Sequence, residues 1–196
     1  MAERKRLSAR DWVDAAVAAL GEGGVAAVAV EPLATRLGTT KGSFYWHFAN
    51  RDALLTAALE SWERTDTEEV IALVAAEPDP RTRLHTLLTL AVGGRHDDHG
   101  EQPGGRVELA LLATRDHPLV APVLARVTAR RIDYLAQLFA RMGLPPSDAR
   151  HRGLLAYSAY LGHAQLTQAT PDAVPTGADL AAYIDATITR LTGDRG

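Results

Sequence analysis

The stretch Leu33-Ala-Thr-Arg-Leu-Gly-Thr-Thr-Lys-Gly-Ser-Phe-Tyr-Trp-His-Phe48 narrows the choice of fold more than any other part of the chain. Two short helical segments meet there with only Gly38-Thr39-Thr40 between them, and glycine takes a left-handed turn without a steric penalty. Thr40 has the side chain of a helix N-cap, and Phe44 and Phe48, four residues apart, share one face of the helix that follows. Burying that face turns Lys41, Ser43, Tyr45, Trp46 and His47 at least partly outward, while Gly42 leaves the backbone open to close approach. Two helices joined at such a turn, with polar and aromatic groups on the outer side of the second, can place a helix in the DNA major groove.

Every other periodic segment is also helical. Ser8-Ala-Arg-Asp11 has capping-box spacing ahead of a helix running to about Leu20, which Gly21, Gly23 and Gly24 end. Pro32 fits only the first turn of the second helix. Asn50 can cap a fourth helix that runs to Ala75 or Ala76, where Glu-Pro-Asp-Pro80 stops it. Further helices are expected over Arg81–Val92, Arg106–Arg115, Leu119–Met142, Ser147–Gln168 and Gly177–Leu191. The expected fold is all-α: a three-helix helix-turn-helix domain over residues 1–52, then a helical bundle over 53–196. The fourth helix serves as a strut between the two.

Composition excludes more than it suggests. The absence of cysteine removes disulfides, thiol catalysis and Cys-ligated zinc. No apolar run is long enough for a membrane span, and Met1–Leu7 lacks a signal peptide's apolar core, so a cytoplasmic protein without membrane contact is expected. The net charge of −3 argues against a generally basic coat, although residues 1–51 carry seven basic side chains against five acidic. No catalytic triad, paired-carboxylate motif or phosphate-binding glycine loop occurs, so neither an enzyme nor a cofactor site is expected. His96-Asp-Asp-His99 has metal-ligand residue types. Its Gly-rich, polar setting between Gly93 and Gly105 reads as a solvated loop, and no metal site is expected.

Within the helix-turn-helix, Thr40, Tyr45 and Arg51 suit phosphate contacts that set register. Lys41, Ser43 and Trp46 are placed to reach base edges. Thr39, Gly42 and His47 complete the expected DNA-facing set, and Arg4, Lys5 and Arg6 form an arm able to reach the backbone or minor groove.

Residues 12–55 resemble the TetR family of one-component bacterial regulators. The resemblance rests on Leu33, Ala34, Gly38, Thr40, Gly42, Phe44, Tyr45, His47, Phe48, Asn50, Arg51, Asp52 and Leu54, all in the family's register. Thr39 and Ala29 depart from it, standing where an apolar residue and a Ser or Thr cap are usual. The resemblance implies a homodimer joined through the last two helices, a recognition helix at Lys41–His47 and a C-terminal ligand pocket. A ligand-responsive repressor on a palindromic operator in double-stranded DNA is therefore expected, with a small, apolar effector. Trp62, His85, Leu88, Leu109, Leu112, Tyr134, Phe139, Tyr157, Tyr160 and His163 are candidates to line its pocket. An activator of the same fold, a helical ligand-binding module without DNA binding and a helical-bundle enzyme are the alternatives.

Overall fold

A computed structural model of the chain describes residues 7–93, 95–97, 100–102 and 105–193, without the side chains of 95–97 and 100–102. The fold is all-α, and it begins as its caps dictate. In α1 (Ala9–Ala27) the Asp11 amide donates to Ser8 Oγ at 3.3 Å, and the Ser8 amide donates to Asp11 Oδ2 at 2.6 Å. Gly23 and Gly24 break the helical geometry inside α1, Gly24 at φ 66°. The chain then turns through Val28 into α2 (Val30–Arg36), which has no side-chain cap at Ala29. Arg36 closes this corner by pairing through Nη1 and Nη2 with the Glu22 carboxylate.

Gly38, at φ 62°, makes the turn into α3 (Lys41–Phe44). This is a single helical turn, shorter than the Lys41–His47 expected. The amides of His47 and Phe48 still bond back to the Phe44 carbonyl, at 2.9 and 3.0 Å. So short a helix has no stability of its own. Phe44 anchors it, with its ring 5.4 Å from Trp12 and 5.8 Å from Phe48 between centroids.

Asn50 Oδ1 accepts the Ala53 amide at 2.8 Å and starts α4 (Arg51–Glu63). The strut continues to Ala75, as its apolar spacing predicts, but through a π-helical turn at Arg64–Glu68 before α5 (Glu69–Ala75). A π turn inserts one residue into the helical bonding pattern and commonly marks a functional site. The bundle is completed by α6 (Pro80–Gly93), α7 (Arg106–Ala113), α8 (Val120–Arg141), α9 (Pro146–Ala169) and α10 (Gly177–Thr192). Between α6 and α7 the backbone of Arg95–Asp97 pairs antiparallel with Gly100–Gln102, inside the segment read from sequence as a loop. Three-residue strands are too short for alternation to reveal them.

Two apolar clusters hold the molecule. The first joins Trp12, Leu20, Leu33 and Phe44 to Leu54, Leu59 and Trp62 of α4, and to Leu111 of α7 and Val120, Leu124 and Val127 of α8. This core therefore continues across residue 52. The second gathers Ile71, Leu84, Leu88, Leu135, Leu138, Phe139, Ile184 and Ile188 from α5, α6, α8 and α10, with Ala156 of α9. A side-chain hydrogen bond stitches α7 to α1, where Arg106 Nε donates to the Gly21 carbonyl at 2.9 Å.

Candidate nucleic-acid interface and ligand cavity

The surface of α3 sorts its residues sharply. Phe44 is fully buried, whereas Tyr45 is 57% and Trp46 89% exposed. Thr40 and Lys41 are exposed, and Thr39, Ser43 and His47 are half-buried. Thr40 takes the N-cap position without a side-chain capping bond, so its hydroxyl is not committed to the helix. Gly42 is open: an added Cβ would touch only Thr40 Oγ1, at 3.6 Å. Lys41 Nζ pairs at 2.9 Å with Glu31 Oε1 of α2, which raises the lysine's pKa and lowers the carboxyl's. The cation nearest the expected base-reading position thus has a neighbour that compensates it in the free protein.

Arg51, expected on the phosphate side, turns inward. Its Nε donates to the Val28 carbonyl at 2.6 Å and its Nη2 to the Val25 carbonyl. The Val25 carbonyl lies in the last turn of α1, where it also accepts the Val28 amide, and the Val28 carbonyl lies just past the helix, so Arg51 ties the C-terminus of α1 to the start of α4. Its remaining Nη1 lies 3.7 Å from Asp52 Oδ1. Arg51→Ala is accordingly expected to lower stability by about 1–2 kcal/mol, read from urea unfolding. Tyr45→Ala, at an exposed position, should stay within about 0.5 kcal/mol of wild type.

Of the ten expected ligand-pocket residues, Leu88, Tyr134, Tyr157 and Tyr160 line a cavity of about 140 Å³ between α5, α6, α8 and α9. The other six lie elsewhere. Trp62 and Leu112 pack into the first apolar cluster and Phe139 into the second. Leu109 is half-buried outside the lining. His85 is exposed and faces Asp185 across 3.2 Å. His163 is buried and stacks on Tyr183 of α10, and burial lowers its pKa. Helical spacing marks a residue as inward but does not say which neighbour it meets.

The polar end of the cavity is built from residues the sequence did not single out. Arg131 of α8 donates Nη1 to Glu108 Oε2 at 2.5 Å, Nε to Thr67 Oγ1 at 2.9 Å and Nη2 to the Asp66 carbonyl at 3.0 Å. The π turn supplies the last two acceptors. The Trp62 ring lies 5.6 Å from the guanidinium carbon. Glu108 of α7, 1% exposed, also accepts the Tyr160 hydroxyl at 2.9 Å and the Tyr157 hydroxyl. Burial, and after it the Glu108 charge, pushes both tyrosine hydroxyls well above their usual pKa. A signal for the charged pair was present. Arg131 interrupts the apolar stripe Val127, Tyr134, Leu135, and Glu108 stands three residues before buried Leu111.

The side chains of Arg4, Lys5, Arg6 and of His96-Asp97-Asp98-His99 lie outside the described residues. Among the described residues no three His, Asp or Glu side chains gather to hold a metal ion. No described helix is long and apolar enough to cross a membrane.

Residues 13–58 match the family model for bacterial regulatory proteins of the tetR family. No curated protein matches the chain in sequence. A transcriptional regulator from Rhodococcus sp. RHA1 superposes with a TM-score of 0.73 at 19% identity, over 94% of this chain and 96% of that one. AibR in complex with isovaleryl coenzyme A and operator DNA gives 0.65 at 19% identity, over 97% and 98%. FadR from Bacillus subtilis in complex with stearoyl-CoA gives 0.65 at 16%, over 94% and 98%. At such identities the shared property is the fold.

Proposed function

We propose that this chain, a bacterial regulatory protein of the tetR family by its N-terminal domain and its fold, is a ligand-responsive repressor that binds a palindromic operator as a homodimer. The observation that carries the DNA reading is the division of α3. Phe44 locks one side into the core, while Trp46 and Tyr45 stand in solvent beside Lys41 and Thr40. A large exposed indole in the turn that follows the one-turn helix has no packing role; the floor and edges of a major groove offer it a thymine methyl and offer Lys41 a guanine edge. Thr39, Thr40, Gly42, Ser43, Tyr45 and His47 make up the rest of the proposed surface, with Arg51 supporting it from behind. AibR, in the same fold, is a precedent for a complex with both isovaleryl coenzyme A and operator DNA.

The homodimer reading is supported by α9 and α10. Leu154, Leu155 and Leu166 of α9 and Tyr183 of α10 are exposed. A second copy of the chain laid on that face would cover them and set the two recognition helices about 34 Å apart, one turn of DNA. The proposed effector site is the cavity, connected to the DNA-binding lobe by α4 and by α7. One side of α7 holds the cavity residues Arg131 and Tyr160 through Glu108, while Arg106 holds the Gly21 carbonyl. The effector must bind the DNA-competent and DNA-incompetent arrangements unequally, or nothing switches.

The test is a gel shift of the purified protein on inverted repeats from its own upstream DNA, beside light scattering at micromolar concentration. Wild type is expected to shift as a dimer. Tyr45→Ala should weaken all sites by a similar factor, and Lys41→Ala should change site preference as well as affinity. A monomer, or unchanged binding by both variants, overturns the proposal.

A further inference from the structure

Every described lysine and arginine of the DNA-binding lobe stands beside a carboxylate. Residues 7–52 hold four such cations against five acidic side chains. Arg10 lies 3.6 Å from Asp14, Arg36 pairs with Glu22, and Arg51 lies 3.7 Å from Asp52 while holding the Val25 and Val28 carbonyls. Lys41 pairs with Glu31 at 2.9 Å, and of the four pairs this one includes a residue of α3. Phosphate binding draws on uncompensated positive charge. Residues 7–52 offer little of it.

The Lys41–Glu31 pair is better suited to a base edge. Its two side chains are 52% and 73% exposed, and Glu31 stands in the first turn of α2. The Lys41 ammonium has three N–H groups, of which Glu31 Oε1 takes one. The second Glu31 oxygen has no partner among the described residues. The pair therefore presents donors directly beside an acceptor. In the major groove, guanine presents two adjacent acceptors, N7 and O6, with the N4 donor of its paired cytosine beside them. Adenine has a donor, N6, where guanine has O6, and an ammonium cannot accept from it. The spacing also agrees. Lys41 Nζ and Glu31 Oε1 are 2.9 Å apart, the ordinary N–H···O separation of about 2.9 Å that joins cytosine N4 to guanine O6.

We propose that Glu31 is a specificity-determining residue of the DNA site, reading one G·C pair in each half-site together with Lys41. Glu31 accepts from cytosine N4 while Lys41 donates to guanine. Away from that base pair the carboxylate keeps Lys41 from gripping the phosphates of any sequence. This rests on the DNA reading above and adds to it a residue outside α3.

The experiment selects bound duplexes from a random library with the full-length protein. Duplexes of about 30 base pairs leave room for two half-sites one turn apart. Competition gel shifts then compare each selected G·C position with A·T. Wild type should prefer G·C at one position per half-site by about tenfold. Glu31→Ala and Lys41→Ala should each relax that same position to about twofold and leave the others unchanged, and the double variant should relax it no further. Glu31→Ala should also bind a duplex of unrelated sequence more tightly, with a log–log salt slope steeper by up to about one per subunit. Both side chains are more than half exposed, so neither substitution should move the melting temperature. A role confined to stabilising α2 would weaken all duplexes by one factor, and that result overturns the proposal. So does a G·C preference intact in Glu31→Ala, or relaxation at different positions in the two single variants. Wild type that selects no duplex removes the repressor reading and this inference together. Wild type that selects duplexes without a G·C position shared by Glu31 and Lys41 removes this inference alone.

Discussion

Phe44→Ala is expected to cost about 3–5 kcal/mol of folding stability and to remove DNA binding with it. Phe44 is fully buried among Trp12, Tyr45 and Phe48. Its loss leaves a hole at the junction of α1, α3 and the start of α4, where three aromatic rings leave little room to relax. Domains of this size are stable by only about 5–15 kcal/mol, so the loss is a large share of the whole. The effect on DNA exceeds the effect on stability for a geometric reason. With four residues, α3 cannot orient itself, and the direction of Lys41, Ser43 and Trp46 comes from this one anchored ring. Urea unfolding measures the first effect and the gel shift the second. Phe44→Leu, which keeps most of the volume, should lose less in both. An unchanged urea midpoint in Phe44→Ala would refute the anchoring role.

Glu108→Ala is expected to cost a comparable amount, about 3–5 kcal/mol, for an electrostatic reason. The substitution leaves the Arg131 guanidinium, 14% exposed at its side chain, without its counter-charge. It also strands the hydroxyls of Tyr157 and Tyr160. Removing one member of a buried pair is costly because the survivor has been taken out of water with nothing to replace it. Replacing both members by apolar residues is much cheaper. Glu108→Leu combined with Arg131→Met removes the stranded charge but not the two stranded hydroxyls, and is therefore expected to recover part of the stability that Glu108→Ala loses. A double-mutant cycle by urea unfolding measures this coupling; strictly additive losses would contradict it.

Much of this molecule is legible from residues that act on their immediate neighbours. Ser8, Asn50, Pro32 and Gly38 place helix ends and the turn because each acts within about four residues, through a hydrogen bond, a fixed dihedral or a missing Cβ. The pairing of Phe44 with Phe48, and the outward position of Trp46, follow from the same short-range periodicity. The all-α class, the helix order and the turn at Gly38 are therefore written in the chain almost without reference to its partners.

What sequence could not supply depends on which faces converge across tens of residues. Arg51 reads as a phosphate contact until the kink at Gly23–Gly24 leaves the Val25 and Val28 carbonyls within its reach. Arg131 and Glu108 read as ordinary charged helix residues until α7 and α8 bring them to 2.5 Å. Of the ten expected cavity residues, five are inward-facing but meet a different neighbour and His85 is exposed, and the π turn that aims Thr67 at Arg131 changes a bonding pattern, not a composition. Helix, cap and turn are local consequences of backbone sterics and short hydrogen bonds, so the sequence carries them openly. A cavity and its charge pairs arise from the packing of distant faces, and only the folded arrangement of α5, α6, α7, α8 and α9 brings them into being.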